Sequence, residues 1–397
     1  MSIVSVTAAP RIRLSPPATT VYAALVAITF SATSSAPTPL YRLYQETLGL
    51  SPLAITVIFA IYAFAMLAAF LTVARLSDHV GRRPMIAAAL LLNALALGVF
   101  IAAGSASMLM LARVIQGLAT GIALTTLGAV IVDTDQHNGA TINSVTAFIG
   151  LTVGTLAGGA LVSWAPLPTQ LIYIALLALT TAELLILAAV PETAARKPGA
   201  ASALIPRVTI PVAARGPMLQ LFPLNLASWA LGGFYLSLMP SLVAATTGVR
   251  SPFIGAAVVS ALMLTGSIAV YALRRLSPPK LVRIASIWLS LGILATLAGM
   301  AAQSVLVMMI GTVVAGIGFG AAYSGNLRTL LPLASIQERA GLLSAYFVCS
   351  YLSFALPAIV AGLAAPLLGL AWTGLIYGAV LATLALASLL YSPSARI

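Results

Sequence analysis

Long apolar stretches occupy most of this chain and limit the kinds of fold that it can adopt. A membrane-spanning helix needs about 20 largely apolar residues, and stretches of that kind recur throughout. They lie near 20–40, 52–75, 85–103, 107–132, 141–164 and 170–190, then near 217–243, 252–273, 281–301, 304–327, 341–365 and 368–391. Only 7% of the 397 residues are charged, against about 25% in soluble domains. The sequence therefore predicts an all-α membrane protein with twelve transmembrane helices, numbered in this order.

Short motifs recur in the same order in the first six and the last six predicted helices. Gly49, Ser51 and Pro52 recur as Gly248, Ser251 and Pro252; Arg75, Leu76, Ser77 and Arg83 recur as Arg275, Leu276, Ser277 and Arg283; Gly117 and Gly121 recur as Gly316 and Gly320. Internal self-similarity of this kind indicates a repeated unit. We therefore expect two six-helix pseudo-repeats. An N-terminal bundle occupies 1–190, a cytoplasmic linker rich in Pro, Ala and Arg occupies 191–216, and a C-terminal bundle occupies 217–397.

The basic residues predict how the chain is oriented. If the N-terminus is cytoplasmic, all of the 19 Lys and Arg residues except Arg42, Arg113 and Arg250 lie on the inner side or in the tails. The positive-inside rule then places both termini in the cytoplasm, and we expect a multi-pass protein of the cell (inner) membrane. Because these residues lie between apolar stretches rather than on one face of a soluble domain, we expect no nucleic-acid partner.

The densest cluster of charge is RLSDHVGRRP at 75–84, between predicted helices 2 and 3. Gly81 permits a tight turn that a Cβ would obstruct. Arg82 and Arg83 can anchor the loop at the cytoplasmic surface, where they can meet the phosphates of membrane lipids. Asp78 needs another explanation, because acidic residues contribute little to membrane orientation.

This loop resembles the loop signature of the major facilitator superfamily, roughly G-x-L-x-D-R-x-G-R-R. The matching positions here are Ala74, Leu76, Asp78, His79, Gly81, Arg82 and Arg83, with Ala74 and His79 replacing the usual Gly and Arg. Four more fragments fit the family: APTPLY in helix 1, RVIQG in helix 4, GLTVGTLAGG in helix 5 and PET after helix 6. The resemblance covers essentially the whole chain. It implies the major facilitator fold and transport by alternating access.

The resemblance also implies a role for the charged loop. It makes Asp78, Gly81, Arg82 and Arg83 a conformational latch, in which Asp78 sits against the cytoplasmic start of helix 11, near Gly341, when the outside is open. The positive end of the helix dipole would favour a carboxylate there. The alternative is a salt bridge within the loop, from Asp78 to Arg82 or Arg83, with no conformational role.

Two charged residues, Arg113 and Glu183, lie well inside predicted helices, where an ionisable group is costly and indicates a functional site. The resemblance implies that Arg113, with Gln116 beside it, takes part in proton transfer or substrate contact in the central cavity. The alternative is a structural Arg bonded to carbonyls and hydroxyls. Glu183 is either a neutral Glu hydrogen-bonded between helices or a proton site, a role that Asp133 at the end of helix 4 shares.

Neutral side chains supply the remaining candidates for the substrate and proton pathway. They are Ser34 and Tyr62 in the first half, and Asn225, Trp229, Tyr235, Asn326, Tyr346 and Tyr351 in the second. Aromatic and hydroxyl groups on apolar walls suit an amphipathic small molecule, although each could instead be a packing residue. Pro39 and Pro240 interrupt helices 1 and 7 at matching points of the repeat, and such interruptions point to a transport path.

Helix 5 contains a set of glycines that permit close helix packing: Gly150, Gly154, Gly158 and Gly159. In drug antiporters of the family this element also contains a proline, and here Thr155 stands in its place. This departure keeps an importer or facilitator on the same fold open as an alternative, as does the lack of carboxylates on the cavity helices.

Together these features predict a monomeric secondary active transporter. We expect proton-coupled efflux of a small amphipathic substrate, in contact with membrane lipids, with no cofactor and no metal. A non-transporting receptor or scaffold would be expected to carry large soluble extensions. An enzyme is not expected, since the sequence has no H-E-x-x-H motif, P-loop or metal cluster, and His79 and His137 fall in loops.

Overall fold

The computed structural model describes residues 13–73, 75–194 and 197–391, and these residues contain helices and no β-strand. Ala74 and the N-terminal tail to residue 12 lie outside the described residues. The apolar helices are α1, Pro16–Leu48; α2, Pro52–Val73; α3, Arg82–Ile101; α4, Ala106–Thr134; α5, Gly139–Trp164; α6, Leu171–Ala189; α7, Val212–Ser237 with Met239–Thr247; α8, Pro252–Ala272; α9, Pro278–Ala301; α10, Val305–Leu333; α11, Arg339–Leu368; and α12, Leu370–Leu390. The prediction of an all-α membrane protein is confirmed, and each predicted stretch corresponds to one of these helices.

Two of the helices are interrupted, at matching points of the two halves. α1 consists of Pro16–Ser35 and Leu40–Leu48, and Pro39 immediately precedes the second part. α7 bends by 70° between Ser237 and Met239, next to Pro240. Proline removes a backbone donor and clashes with the preceding turn, so these positions are where regular helix geometry is easiest to lose.

The turns after α1 and α7 have the same geometry, which supports the predicted repeat. Gly49 and Gly248 both adopt left-handed backbone conformations, with φ +65° and +73°. The hydroxyls of Ser51 and Ser251 each accept the backbone N–H three residues further on, at 3.1 Å and 3.5 Å. Serine satisfies an otherwise unpaired donor at a helix start in this way.

Equivalent glycines also bring equivalent helices together. Gly121 of α4 packs so closely on α2 that an added Cβ would lie 2.7 Å from the Cβ of Ala69. Gly320 of α10 packs against the backbone of Gly266 of α8. α4 and α10 therefore occupy corresponding places in the first half, α1–α6, and the second half, α7–α12.

The two halves meet most extensively along two helix pairs, α5 with α8 and α2 with α11. Gly159 of α5 faces the Cβ of Ala256 on α8, and Gly362 of α11 faces Thr56 on α2. Small residues at these points let the helix backbones approach closely. The linker lies between the halves in sequence, and the division of the chain into two bundles with the boundaries given above stays a prediction.

The loops define two ends of this helix bundle. We call the end with the loop 75–81 the basic end, and the end with the loops 49–51 and 248–251 the opposite end. At the opposite end the hydroxyl of Thr38 donates to the carbonyl of Leu236 at 2.9 Å, and the hydroxyl of Ser241 donates to Oε1 of Gln45 at 3.0 Å. Each bond joins the first half to the second. The halves are therefore closed against each other at the opposite end.

Candidate functional site

A central cavity lies between the two halves. Its lining residues are Ser31, Ser34, Phe59, Tyr62, Met66, Phe70, Thr120, Leu124, Asn143, Ala147, Phe148, Leu151, Ser228, Trp229, Leu236, Met263, Phe319, Tyr323, Phe347, Tyr351 and Phe354. Ten of these are aromatic, and no charged side chain is among them. A large apolar cavity with a few polar groups is the usual form of a small-molecule site.

Aromatic pairs join the two halves along the cavity. Phe59 of α2 packs on Phe354 of α11 with ring centroids 4.9 Å apart, and Phe70 packs on Phe347 at 4.8 Å. Across the other helix interface, Phe148 of α5 meets Tyr323 of α10 edge-on at 5.4 Å. Each such pair contributes roughly 0.5–1.5 kcal/mol beyond its buried area. These contacts are individually weak enough to be exchanged for contacts with a ligand.

The structure divides the predicted pathway residues into two groups. Four of them line the cavity: Ser34, Tyr62, Trp229 and Tyr351. The others lie outside the lining: Pro39, Arg113, Gln116, Asn225, Tyr235, Asn326 and Tyr346.

Arg113 lies directly behind the cavity wall and is 1% exposed. Its Nη1 donates to the carbonyl of Ser34 at 2.8 Å and to Oε1 of Gln116 at 2.7 Å, and its Nη2 donates to the hydroxyl of Tyr41. The guanidinium carbon is also 5.2 Å from the ring centroid of Tyr62. Gln116 in turn donates from Nε2 to the carbonyl of Thr33 at 2.9 Å. This network holds α4 against the broken helix α1, and all of its acceptors are neutral.

In the corresponding region of the second half, the hydrogen bonds between the described residues join neutral polar groups. The amide of Asn225 on α7 exchanges hydrogen bonds with the hydroxyl of Ser350 on α11, at 3.2 Å in each direction, and Asn326 donates to Asn225 Oδ1 at 3.5 Å. The hydroxyl of Tyr235 lies 2.9 Å from that of Thr312 on α10. Thr312 sits at the α10 position that corresponds to Arg113 on α4, so only one half places a charge there.

Glu183 of α6 is not among the residues that line the cavity, and its side chain meets α1. Thr29 donates its hydroxyl to Glu183 Oε1 at 2.6 Å, and the hydroxyl of Tyr22 donates to the Glu183 backbone carbonyl at 2.9 Å. Nearby, Asn93 of α3 donates to the hydroxyl of Thr180 at 3.1 Å. The arrangement joins three helices of the first half. These contacts match the alternative given above, in which Glu183 is hydrogen-bonded between helices and has a structural role.

The charged loop at the basic end forms a compact ion cluster. Arg82 Nη1 lies 2.7 Å from Asp78 Oδ1, and Arg82 Nε lies 3.4 Å from Asp133 Oδ2. Glu192, from the PET fragment, accepts the backbone N–H groups of Arg82 and Arg83 at 2.7 Å and 3.1 Å. Sequence reasoning did not assign this role to Glu192, although an acid that follows α6 can favourably meet the positive N-terminus of α3.

In this conformation the start of α11 meets the linker. The N–H of Thr209 donates to the carbonyl of Gly341 at 3.3 Å, and the Thr209 side chain lies against Gly341 Cα. Asp78 is bonded to Arg82 instead, as the loop-bridge alternative describes. The latch prediction concerns a state that is open at the opposite end, and the structure is closed there, so the latch stays a prediction.

The helix 5 glycines lie at two interfaces. Gly150, Gly154 and Gly158 face α1, the last of them within reach of Pro39, whereas Gly159 faces α8. Thr155 is buried and donates its hydroxyl to the carbonyl of Leu151 at 2.8 Å. It therefore leaves the helix continuous where a proline would remove a backbone donor.

An all-helical membrane protein with a cavity between two repeated halves has the architecture of a membrane transporter. The family model of the Major Facilitator Superfamily matches residues 23–300, and the chain belongs to this family. No curated protein matches the chain in sequence.

Solved structures share the fold at low sequence identity. A POT family transporter in complex with 5-aminolevulinic acid matches with a TM-score of 0.75 and 12% identity, covering 95% of this chain and 96% of that one. The nucleoside transporter NupG matches with a TM-score of 0.73 and 12% identity, covering 94% and 99%. The human organic anion transporter MFSD10 matches with a TM-score of 0.67 and 16% identity, covering 95% and 100%. At these identities the likeness shows the fold alone.

Proposed function

We propose that this chain is a proton-coupled exporter of a small amphipathic compound that works by alternating access. The observation that carries the proposal is the aromatic cavity, which both halves line and which is closed at the opposite end. Relative movement of the halves would open that end and close the other. The aromatic and α5–α8 contacts at the interface are the ones that such a movement would exchange.

The proposal includes a location and a direction. The basic end faces the cytoplasm of a cell (inner) membrane, because Arg82, Arg83, Arg274 and Arg275 all lie there and basic residues favour the cytoplasmic side. The compound enters the cavity from the cytoplasm or the inner leaflet and leaves at the opposite end. The named substrates of the structural relatives are small organic solutes, which supports a substrate of this size.

Proton coupling would use Arg113 together with an acid of the first half, either Asp133 at the basic end or Glu183 between α6 and α1. Arginine does not titrate in proteins, so the proton would bind to an acid such as Asp133 or Glu183, while Arg113 changes contacts between states. Glu183 is bonded to Thr29 and has no described path to the cavity. We therefore rank Glu183 below the combination of Arg113 and Asp133 in proton coupling.

A second candidate is an importer or facilitator on the same fold. Thr155 in place of the antiporter proline favours it, and so does the absence of a carboxylate among the described residues that line the cavity. A facilitator would carry its solute down a gradient and would ignore a pH difference.

One experiment separates these functions. Accumulation of a broad panel of labelled compounds is compared in cells with and without the protein, and with and without a proton gradient. We expect lower accumulation of at least one amphipathic compound only when the gradient is present. Higher accumulation would indicate import, and an effect that ignores the gradient would indicate a facilitator.

The same compound then tests coupling in proteoliposomes after a pH jump. We expect Glu183→Gln to retain proton-driven exchange, because Gln can accept the Thr29 hydrogen bond. If Glu183→Gln alone abolished exchange while the compound still bound, α6 would carry the proton.

A further inference from the structure

We propose that the cavity selects planar aromatic compounds that carry an anionic group, and discriminates against aromatic cations. This inference rests on the proposed transport function, because it names the substrate class of the same cavity. It follows from two separate features of the site: the composition of the wall and the charge behind it.

The aromatic residues of the cavity wall suit flat aromatic ligands. Ten of its residues are aromatic, and they come from both halves. Trp229 and Tyr351 meet edge-on at 5.2 Å, and Phe354 lies 6.0 Å from Trp229, so ring faces and edges are both presented. Aromatic pairs favour offset-stacked and edge-to-face geometries. A flat ring can replace one partner in these pairs without loss of geometry, whereas a branched aliphatic compound cannot.

The charge behind the wall comes from Arg113. Its hydrogen-bond partners are the Ser34 carbonyl, the Gln116 amide and the Tyr41 hydroxyl, and among the described residues no carboxylate pairs with it. A buried cation without an anionic partner is unfavourable. The Arg113 network therefore leaves a positive charge that a ligand could compensate.

This charge is close enough to the cavity to act on a ligand. Ser34 and Tyr62 both line the cavity, and both contact the Arg113 guanidinium directly. At a given distance, the interaction between charges is stronger in a medium of low dielectric constant than in water. A ligand carboxylate placed near Ser34 and Tyr62 would be attracted, and an ammonium at the same place would be repelled.

An aromatic wall can also attract cations through their interaction with ring faces, within about 6 Å of a ring centroid. In this structure Arg113 itself lies over the Tyr62 ring, at 5.2 Å, and over the Tyr41 ring, at 5.6 Å. The ring nearest to the charge is therefore already engaged by a cation of the protein. This observation favours an anionic group over a cationic one at this end of the cavity.

The test uses three ligands of matched shape: naphthylacetate, naphthylacetamide and the naphthylethylammonium ion. Their dissociation constants are measured on the full chain in nanodiscs of zwitterionic lipid at neutral pH. We expect naphthylacetate to bind about tenfold more tightly than the amide, the ratio that corresponds to about 1.4 kcal/mol, and the ammonium ion to bind most weakly. Equal or tighter binding of the ammonium ion would overturn the inference, as would the absence of binding by all three.

Variants separate the charge from the wall. Arg113→Gln should abolish the preference for the acid over the amide while the amide still binds, and the exposed Arg215→Gln serves as the matched control. If Arg113→Gln does not fold, Arg113→Lys keeps the charge and should keep the preference. An unchanged preference in folded Arg113→Gln would show that Arg113 is not its source.

Counterflow of naphthylacetate distinguishes this inference from the proposed function. Binding with the expected ranking but without counterflow would support the site and contradict transport. Transport of aromatic cations in preference to acids would support the proposed function and overturn the inference.

Discussion

Gly81 shows how one residue of the charged loop depends on its neighbours. It lies at φ +110° and ψ 153°, a region that is essentially restricted to glycine, and a side chain there costs about 1–3 kcal/mol. An added Cβ would also lie 2.7 Å from Glu192 Oε2, the oxygen that accepts the Arg83 amide. The turn and the cap on α3 therefore require the same glycine.

We expect Gly81→Ala to lower the unfolding temperature of the purified protein and to free Glu192 from the start of α3. The matched control is Gly98→Ala on the same helix, where an added Cβ meets nothing within 4 Å. Alanine is favoured over glycine inside a helix by roughly 0.5–1 kcal/mol, so this variant should be at least as stable as the parent. Equal unfolding temperatures for both variants would contradict the assignment of Gly81.

Arg113 depends on the shape of its side chain as well as on its charge. Its planar guanidinium reaches Ser34, Gln116 and Tyr41 at once, which the point charge of a lysine cannot do. A hydrogen bond to a charged group is worth about 1.5–3 kcal/mol.

We expect Arg113→Lys to lower the free energy of unfolding by about that amount and to impair transport, whereas the exposed Arg215→Lys should do neither. If Arg113→Lys transported as well as the wild type, the charge of Arg113 would matter and the shape of its guanidinium group would not.

At the scale of elements, the basic end contains the parts that a latch needs. The loop that carries Asp78 is held by Arg82 and Asp133, and the start of α11 is held by Thr209 of the linker. In the state that is open at the opposite end, Asp78 would exchange Arg82 for the N-terminus of α11. An interaction with a helix terminus is worth about 0.3–1 kcal/mol, and up to about 2 when partly buried, which changes a balanced equilibrium several-fold.

We therefore expect Asp78→Asn to fold normally, to favour the state closed at the opposite end and to slow transport. Solvent accessibility of cysteines at the two ends measures the shift. The control is Asp135→Asn in the α4–α5 loop, where Asp135 Oδ1 accepts the backbone amides of His137 and Asn138. If transport and accessibility were unchanged in Asp78→Asn, the salt bridge of Asp78 within the loop would have no conformational role.

The linker element tests the orientation of the chain. Ala201 is exposed in the short helix Ala200–Ala203 at the basic end, and Ala302 is exposed just after α9 at the opposite end. With the lone cysteine replaced by Cys349→Ser, a cysteine at Ala302 should react with an impermeant maleimide outside intact cells, and one at Ala201 should not. The reverse pattern would place the basic end outside the cell.

At the scale of the whole molecule, the sequence predicts the helices well, and the cavity poorly. Hydropathy defines the spans because lipid excludes polar backbone and charge, and the matched turns at Gly49 and Gly248 follow from local backbone chemistry. The wall of the cavity has no comparable signal. Phe148 lines the cavity and Val153, on the same helix, is exposed at the bundle surface, yet both are simply apolar in the sequence.

The positions of the polar candidates depended on packing between helices. Tyr62 and Trp229 reach the cavity, whereas Tyr235 turns toward Thr312, and Arg113 lies one layer behind Tyr62. The pairing of Phe59 with Phe354 requires the two halves to associate, which local sequence does not encode. In a β-strand, the alternation of polar and apolar residues would have indicated which face points inward. Helices surrounded by lipid are apolar on both faces, so hydropathy does not separate the cavity face from the lipid face.

The central claim is that the two halves exchange which end is open. Pulsed electron paramagnetic resonance measures it directly, with spin labels at the exposed Thr47 and Ala245 at the opposite end and at Ala140 and Arg339 at the basic end, in the Cys349→Ser background. We expect a short distance between Thr47 and Ala245 in the state described here, and a second, longer population when naphthylacetate or a pH change is applied. The Ala140–Arg339 distance should shorten as that population grows. A single unchanging distance at the opposite end under every condition, with or without movement at the basic end, would contradict alternating access.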